Sequence, residues 1–330
     1  MRAEAAPGQP PRVLVMGAGS VGCHTGGRLQ LAGAQVDFVG RPHRLATLRQ
    51  HGLGLSDLDG GRQHLAPDQL RLHAQVPREH RPDLVLLCVK SGGTETAARE
   101  LDAALPAGTL VLSLQNGLTN AERAQAQAPK LVLVPGMVPY NVAELGPGHF
   151  HRGTDGQLAA RSHPQLQGLA ELFKRASLPL TLHEDLRPVQ LGKLLLNLNN
   201  PVNALSGRPL RDQLLQAQHR QRFADLVQEA LTLMRQDGAE PARLTPLSWD
   251  ALLRVLRLPT PLFRLVARRM LRIDPKARSS MADDLAAGRP TEIDVLCGEV
   301  VRLAQRLGRS APMNQAMVEQ IHQAERAAVR

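Results

Sequence analysis

Gly17-Ala-Gly-Ser-Val-Gly22 follows directly on the apolar run Arg12-Val-Leu-Val-Met16. A helical pattern then runs through Leu29 and Leu31 and stops at Gly33, and a second apolar run spans Val36 to Val39. Strand, glycine turn, helix and strand in that order make a parallel β-α-β unit, and the glycine spacing is one that receives a dinucleotide. Gly17 permits the tight turn, Gly19 lets the backbone approach a pyrophosphate, and Gly22 lets the helix lie close on the strand. The helix N-terminus turns unpaired N–H groups toward the phosphates. Gly17, Ala18, Gly19, Ser20, Val21 and Gly22 are therefore the expected cofactor contacts, with an ordinary glycine turn as the alternative.

The end of the second strand separates the two nicotinamide dinucleotides. An acidic residue there binds a ribose 2′-hydroxyl, whereas a basic one suits a 2′-phosphate. The strand ends Phe38-Val39-Gly40-Arg41 with Arg44 just beyond, and Asp37 sits inside the strand with its side chain expected to point elsewhere. Arg41 thus points to NADP, the plainer reading being a solvated loop charge. Three more apolar runs, 83–89, 109–114 and 130–134, read as buried parallel strands. Ligands of such sheets bind beyond the carboxyl ends of the strands. Lys90 and Asn116, which follow two of these runs, are in place to touch cofactor or substrate, although Asn116-Gly117 also favours a turn by itself.

The glycines between Tyr140 and Arg161 suggest hairpin strands closing the sheet edge. A helix over 165–176 and a strand over 178–183 would complete the domain. The fold class is α/β: a Rossmann-like doubly wound parallel sheet over 12–185, preceded by a polar, Pro-rich and disordered lead-in over 1–11 without the apolar core of a secretory signal. From 186 to 330 the periodicity turns helical, with candidate helices over 187–200, 207–237, 247–256, 259–271, 279–287, 290–307 and 312–328. The C-terminal domain is accordingly all-α and is expected to carry substrate and catalysis.

Charge and cysteine usage narrow the function classes. A net charge of +10 admits nucleic acid, but Tyr140 and Trp249 are the only residues of their kinds, and no Lys/Arg-dense tract exists. Attraction of anionic small ligands is the better use of such a charge. Cys23, Cys88 and Cys297 are widely spaced and fit a reducing compartment. No HExxH pattern occurs, and His149 with His151 is a poor metal pair, so no metal is expected. No stretch of eighteen apolar residues is present, which argues against a membrane helix.

Lysine is scarce. Only five lysines, Lys90, Lys130, Lys174, Lys193 and Lys276, stand among 40 Lys and Arg residues. A chain that uses Arg wherever a positive charge suffices invites a chemical reason for a Lys in an apolar setting, because Lys can give up its proton and Arg effectively cannot. Lys193 is such a case, lying in Leu191-Gly-Lys193-Leu-Leu-Leu-Asn197-Leu-Asn199-Asn200-Pro201-Val-Asn203. Lys193, Asn197 and Asn200 share one helix face. Burial would lower the lysine pKa and make it a proton donor near neutral pH; a snorkelling Lys at a helix start is the alternative. Further on, Ser279 or Ser280 with Asp283 suits a capping box, and Pro290 with Thr291 and Glu292 suits the first turn of a new helix.

With these segments in hand, the chain resembles the ketopantoate reductases along essentially its whole length. The resemblance is carried by Met16 to Gly22, Cys88-Val-Lys90, Leu114-Gln-Asn-Gly117, Glu144 to Gly148, Lys193 to Asn197, Ser279-Ser-Met281 and Thr291-Glu-Ile-Asp294. It implies a soluble, cytoplasmic, NADP-dependent oxidoreductase that reduces 2-dehydropantoate to (R)-pantoate on the route to pantothenate and coenzyme A. Another small 2-keto acid, or a non-catalytic dinucleotide-binding regulator, are the alternatives. By resemblance, Lys193 is the acid that protonates the ketone oxygen, Glu292 binds the substrate hydroxyl and supports that lysine, and Ser280 holds the carboxylate. Asn116, Asn197 and Asn200 line the substrate, Lys90 and Asn116 lie near the nicotinamide, and Arg41 selects NADP. The second substrate asparagine stays open among Asn199, Asn200 and Asn203, and the resemblance allows a homodimer.

Overall fold

The structure is a computed structural model, which describes residues 9–78, 80–268, 270–271, 274 and 277–328. Residues 1–8 of the expected lead-in, and Lys276, lie outside these. The chain divides into two compact units, Met1–Gln115 with Thr119–Leu186, and Asn116–Leu118 with Arg187–Arg330. Among the described residues no helix is long and apolar enough to cross a membrane.

The strands in chain order are β1 (Arg12–Met16), β2 (Gln35–Val39), β3 (Leu53–Asp57), β4 (Arg62–Leu65), β5 (Arg71–His73), β6 (Leu84–Leu87), β7 (Leu110–Ser113), β8 (Val132–Met137), β9 (Val142–Gly146), β10 (His149–Arg152), β11 (Leu158–Arg161) and β12 (Leu180–His183). Eight of them form the main sheet of the first unit in the order β12-β11-β8-β7-β6-β1-β2-β5. The six from β8 to β5 are parallel, whereas β11 runs antiparallel to β8 and carries β12 parallel to itself. The centre of the sheet is apolar on both faces. Val13 and Val15 enter one core and Leu14 and Met16 the other, and Leu84 and Leu86 alternate with Val85 and Leu87 in the same way. Such continuous runs belong to parallel strands covered on both sides.

The segment 140–161 differs from expectation. A β9–β10 hairpin does form, but it joins β3 and β4 in a separate four-stranded sheet, β4-β3-β10-β9, and only β11 reaches the main sheet. The reason is a partner that no local pattern reveals: β10 pairs in parallel with β3, residue His149 opposite Gly54. The helix Ser20–Leu31 lies against this second sheet as well as the first. A Cβ at Gly26 would stand 2.7 Å from Phe38, and one at Gly27 would stand 2.6 Å from Leu53, so only glycine permits both approaches.

The second unit is helical, and its core contains Leu118, Leu194, Leu195, Phe223, Leu231, Trp249, Phe263, Ile293 and Ile321. The expected helix over 187–200 is instead two, Arg187–Asn197 and Asn199–Ser206, with Leu198 between them. Pro201 explains the break, since it has no N–H to donate to the carbonyl of Asn197 and its ring crowds that carbonyl. The expected helix over 290–307 also starts late. Residues 290–292 are irregular, a single 3-10 turn covers Ile293–Val295, and the α-helix is Cys297–Arg306. Buried Arg220 cross-links the unit, donating to the carbonyls of Leu214 (2.8 Å), Leu256 (3.1 Å) and Leu258 (2.8 Å) while stacking on Phe263.

Candidate functional site

In the first unit, β1 delivers the chain into the glycine turn. Gly17 has φ +110, a conformation that L side chains rarely adopt, and a Cβ there would lie 2.7 Å from the Val89 nitrogen. A Cβ at Gly22 would lie 2.2 Å from the Gly17 carbonyl oxygen. At Gly19, by contrast, a Cβ would meet nothing within 4 Å, so that residue borders open space. Ser20–Leu31 begins there with no side-chain cap and no acidic residue in its first turn. The first N–H groups of an uncapped helix form a positive, donor-rich end. The cradle thus fits an anionic group such as a pyrophosphate, and Ala18, Ser20 and Val21 lie within it.

Arg41 is exposed at the N-cap of the helix Pro42–His51, two residues beyond β2. Arg44 is already engaged: its guanidinium makes a two-pronged pair with Glu144 and stacks on Phe150. Asp37 is buried and bound to His73 at 2.6 Å, so it does not stand at the strand end. Lys90 is exposed at the turn after β6. Behind that turn lies a buried polar network that the sequence did not announce. Gln115 donates to the Val89 carbonyl (2.9 Å) and to Thr94 (2.7 Å), Thr94 donates to Asn120 (3.2 Å), and Asn120 donates to Ser91 (2.9 Å). It fixes the loops at the carboxyl ends of β6 and β7. The signal available was the pair of amides in 115–116 at a strand end.

In the second unit three of the candidate residues come together. Asn197 donates to Asn116 Oδ1 at 3.3 Å, and Asn116 in turn donates to Glu292 Oε2 at 3.0 Å. Lys193 stands one turn before Asn197 on the same helix. Burial pulls the Lys193 ammonium down from 10.5 to about 8. A Cβ at the adjacent Gly192 would stand 2.4 Å from the Ala242 carbonyl, so this turn is packed tightly on its other side.

The three remaining asparagines separate by their bonds. Asn199 is buried and exchanges two amide bonds with Gln213, at 3.2 and 3.1 Å. Asn203 is fully buried; it donates to the Arg208 carbonyl and accepts the Ser279 N–H, both at 2.9 Å. Asn200 is partly buried, and its carbonyl accepts the Ser279 hydroxyl at 3.1 Å. Because of the break at Leu198 it does not continue the Lys193 stripe by simple helical spacing. Of the two serines, Ser279 is the buried N-cap, accepting from the Ala282 N–H at 3.2 Å, while Ser280 is exposed at the first position of the helix Ser280–Ala286. His149 and His151 both bond to the Ser56 hydroxyl, at 2.8 and 2.9 Å.

Residues 13–165 match the ketopantoate reductase PanE/ApbA family, and residues 185–325 match the C-terminal family of the same enzymes. The chain belongs to the ketopantoate reductases. Members of this family use a nicotinamide dinucleotide and act on a small keto acid. The chain is 26% identical over 321 residues to the 2-dehydropantoate 2-reductase of Archaeoglobus fulgidus, covering 95% of this chain and 98% of that one. A solved PanE/ApbA family ketopantoate reductase from Ralstonia eutropha superposes with a TM-score of 0.79 at 28% identity, covering 97% of this chain and all (100%) of the other. The D-mandelate dehydrogenase solved with NADH and anilino(oxo)acetate shares the fold at 18% identity, with a TM-score of 0.80 and coverage of 97% and 100%.

Proposed function

We propose that this chain reduces the C2 ketone of 2-dehydropantoate to (R)-pantoate with NADPH, in pantothenate and coenzyme A formation, and that Lys193 is the acid. The observation that carries the reading is the hydrogen-bonded line Asn197–Asn116–Glu292 one turn from a lysine whose ammonium is pulled down to about 8. Ketone reduction needs a proton at oxygen, and a group with a pKa near the working pH gives it most readily. Lys193 fills that role. Glu292 accepts the substrate hydroxyl and supports Lys193, and Asn116 and Asn197 orient both. Asn200 is the second substrate asparagine, since the amides of Asn199 and Asn203 are used inside the fold. Ser280, exposed at a helix N-terminus, takes the substrate carboxylate.

The glycine turn from Gly17 to Gly22 holds the pyrophosphate, and Lys90 lies toward the nicotinamide side. When bound, the dinucleotide supplies the hydride. Arg41 is the group that favours NADP: it is exposed, it follows β2 closely, and its neighbour Arg44 is tied to Glu144. The chain works in the cytoplasm and can pair with a second copy.

The test is steady-state oxidation of NADPH and of NADH with ketopantoate and a panel of other 2-keto acids. The proposal expects ketopantoate with NADPH to give the highest kcat/KM. A higher value with another keto acid moves the substrate, and tight NADPH binding without turnover on any of them removes the enzymatic reading.

A further inference from the structure

The segment that carries Glu292 is held on both sides by a single helix. Glu325 and His322 lie three residues apart on Pro312–Ala328. The N–H of Thr291, just before Glu292, donates to Glu325 Oε1 at 2.7 Å. Glu325 Oε2 meets His322 Nδ1 at 2.8 Å, and His322 Nε2 meets Asp294 Oδ1, two residues after Glu292, at 3.1 Å. Between these tethers the Ile293 side chain is fully buried and its N–H donates to Thr291 Oγ1 at 3.3 Å. The backbone at Glu292 is irregular, with φ −103 and ψ 28 ahead of one 3-10 turn. The Val295 N–H donates to the Glu292 carbonyl at 3.2 Å, and the side-chain tethers hold the chain on either side of that single turn.

We propose that His322 and Glu325 are positioning residues for Glu292: the bridge Thr291–Glu325–His322–Asp294 fixes the chain on either side of that carboxylate and so keeps it within reach of Asn116. The inference rests on the role given to Glu292 above. An imidazole between two carboxylates can donate from both nitrogens only when protonated. The hydrogen bond to Glu325, with Asp294 on the other nitrogen, raises the His322 pKa. Further charged groups beside the bridge among the described residues are Arg302, which donates to the Asp294 carbonyl at 2.7 Å, and Glu299, which pairs with Arg302 at 3.1 Å. The bridge therefore has both arms while His322 carries its proton and Glu325 is ionised, and loses one arm as pH rises through the raised His322 pKa.

The experiment is a double-mutant cycle on the full chain, reading kcat, KM for the keto acid and Kd for NADPH by fluorescence. Gln at 322 has similar reach, bonds only one carboxylate and cannot be charged. His322→Gln is expected to lower kcat roughly tenfold, a modest share of what about 1 Å of displacement costs a reacting group, and to leave the NADPH Kd unchanged. In a Glu292→Gln background the same substitution is expected to cost nothing further, because residues acting as one unit are not additive. Glu325→Gln repeats the cycle from the other arm and decides the matter where His322→Gln folds poorly. An equal loss in both backgrounds assigns the bridge to structure alone and overturns the proposal, as does an unchanged kcat beside an impaired Glu292→Gln enzyme. Wild-type turnover by Glu292→Gln instead overturns the role of Glu292, and this inference with it.

Discussion

Replacing Lys193 by Met separates what the amine costs the fold from what it gives the reaction. A fall from 10.5 to about 8 disfavours the charged form by about 3 kcal/mol, at about 1.4 kcal/mol per pKa step. The unfolded chain keeps its proton up to the ordinary lysine pKa, while the folded chain gives it up near 8. Between those values the unfolded state binds more protons, so stability from this group rises with pH. Below pH 8 the whole cost is present. Met has similar length and no charge, so Lys193→Met is expected to be more stable than the parent at pH 7, by up to about 3 kcal/mol. The advantage should shrink as pH climbs toward 10.5. Urea unfolding at a series of pH values reads this directly. Turnover moves the other way: loss of a positioned acid should lower kcat by about 10²–10⁴-fold, and in the parent kcat/KM should fall above pH 8 as the donor empties. A Met variant that is less stable at pH 7, or an advantage that grows with pH, refutes the claim that burial sets this pKa. Near-parental turnover refutes the acid.

Other substitutions test the rest of the scheme. Gly19→Ala adds a methyl where nothing lies within 4 Å, so thermal unfolding should be unchanged while the Kd for NADPH rises at least tenfold. Gly22→Ala places a Cβ 2.2 Å from the Gly17 oxygen and should lower both stability and cofactor affinity. Arg41→Ala should lower kcat/KM with NADPH about tenfold or more while leaving NADH nearly unaffected, the loss of one charge-assisted contact to a phosphate; equal loss with both would remove Arg41 from cofactor choice. Asn203→Ala leaves the Ser279 N–H and the Arg208 carbonyl without their buried partner and should cost about 1–3 kcal/mol in urea unfolding, with the NADPH Kd unchanged.

The main sheet was legible because its strands are buried on both faces. Leu84 to Leu87 and Leu110 to Leu112 are apolar without interruption, and little else than a central parallel strand suits such a run with a glycine turn a few residues on, at Gly92 and at Asn116-Gly117. The second sheet was not legible for the opposite reason. Three of the four residues of β4 are exposed, and β9 buries only Val142. Each of them pairs with its neighbour in the chain, β4 with β3 and β9 with β10, and what joins the two pairs into one sheet is the contact of β3 with β10, far apart in sequence. Helix ends behaved in the same way. Leu198 reads as helix by its side chain, and only the effect of Pro201 on the carbonyl one turn earlier ends the helix there.

At the site, residue type was legible and contact was not. A lysine among leucines, in a chain that otherwise chooses arginine, marks itself by composition. The amide of Asn116 and the carboxylate of Glu292 are 176 residues apart, and nothing local relates them. The three asparagines 199, 200 and 203 are chemically alike in sequence. They differ only in what the fold spends them on, Asn199 on Gln213 and Asn203 on the cap of the helix Ser280–Ala286. The same holds for His322 and Glu325, an ordinary pair three apart on a surface helix until Thr291 and Asp294 come to lie against them. A reacting group announces itself by being costly where it stands. The groups that aim it cost nothing unusual, and so they become visible only once the distances between them are known.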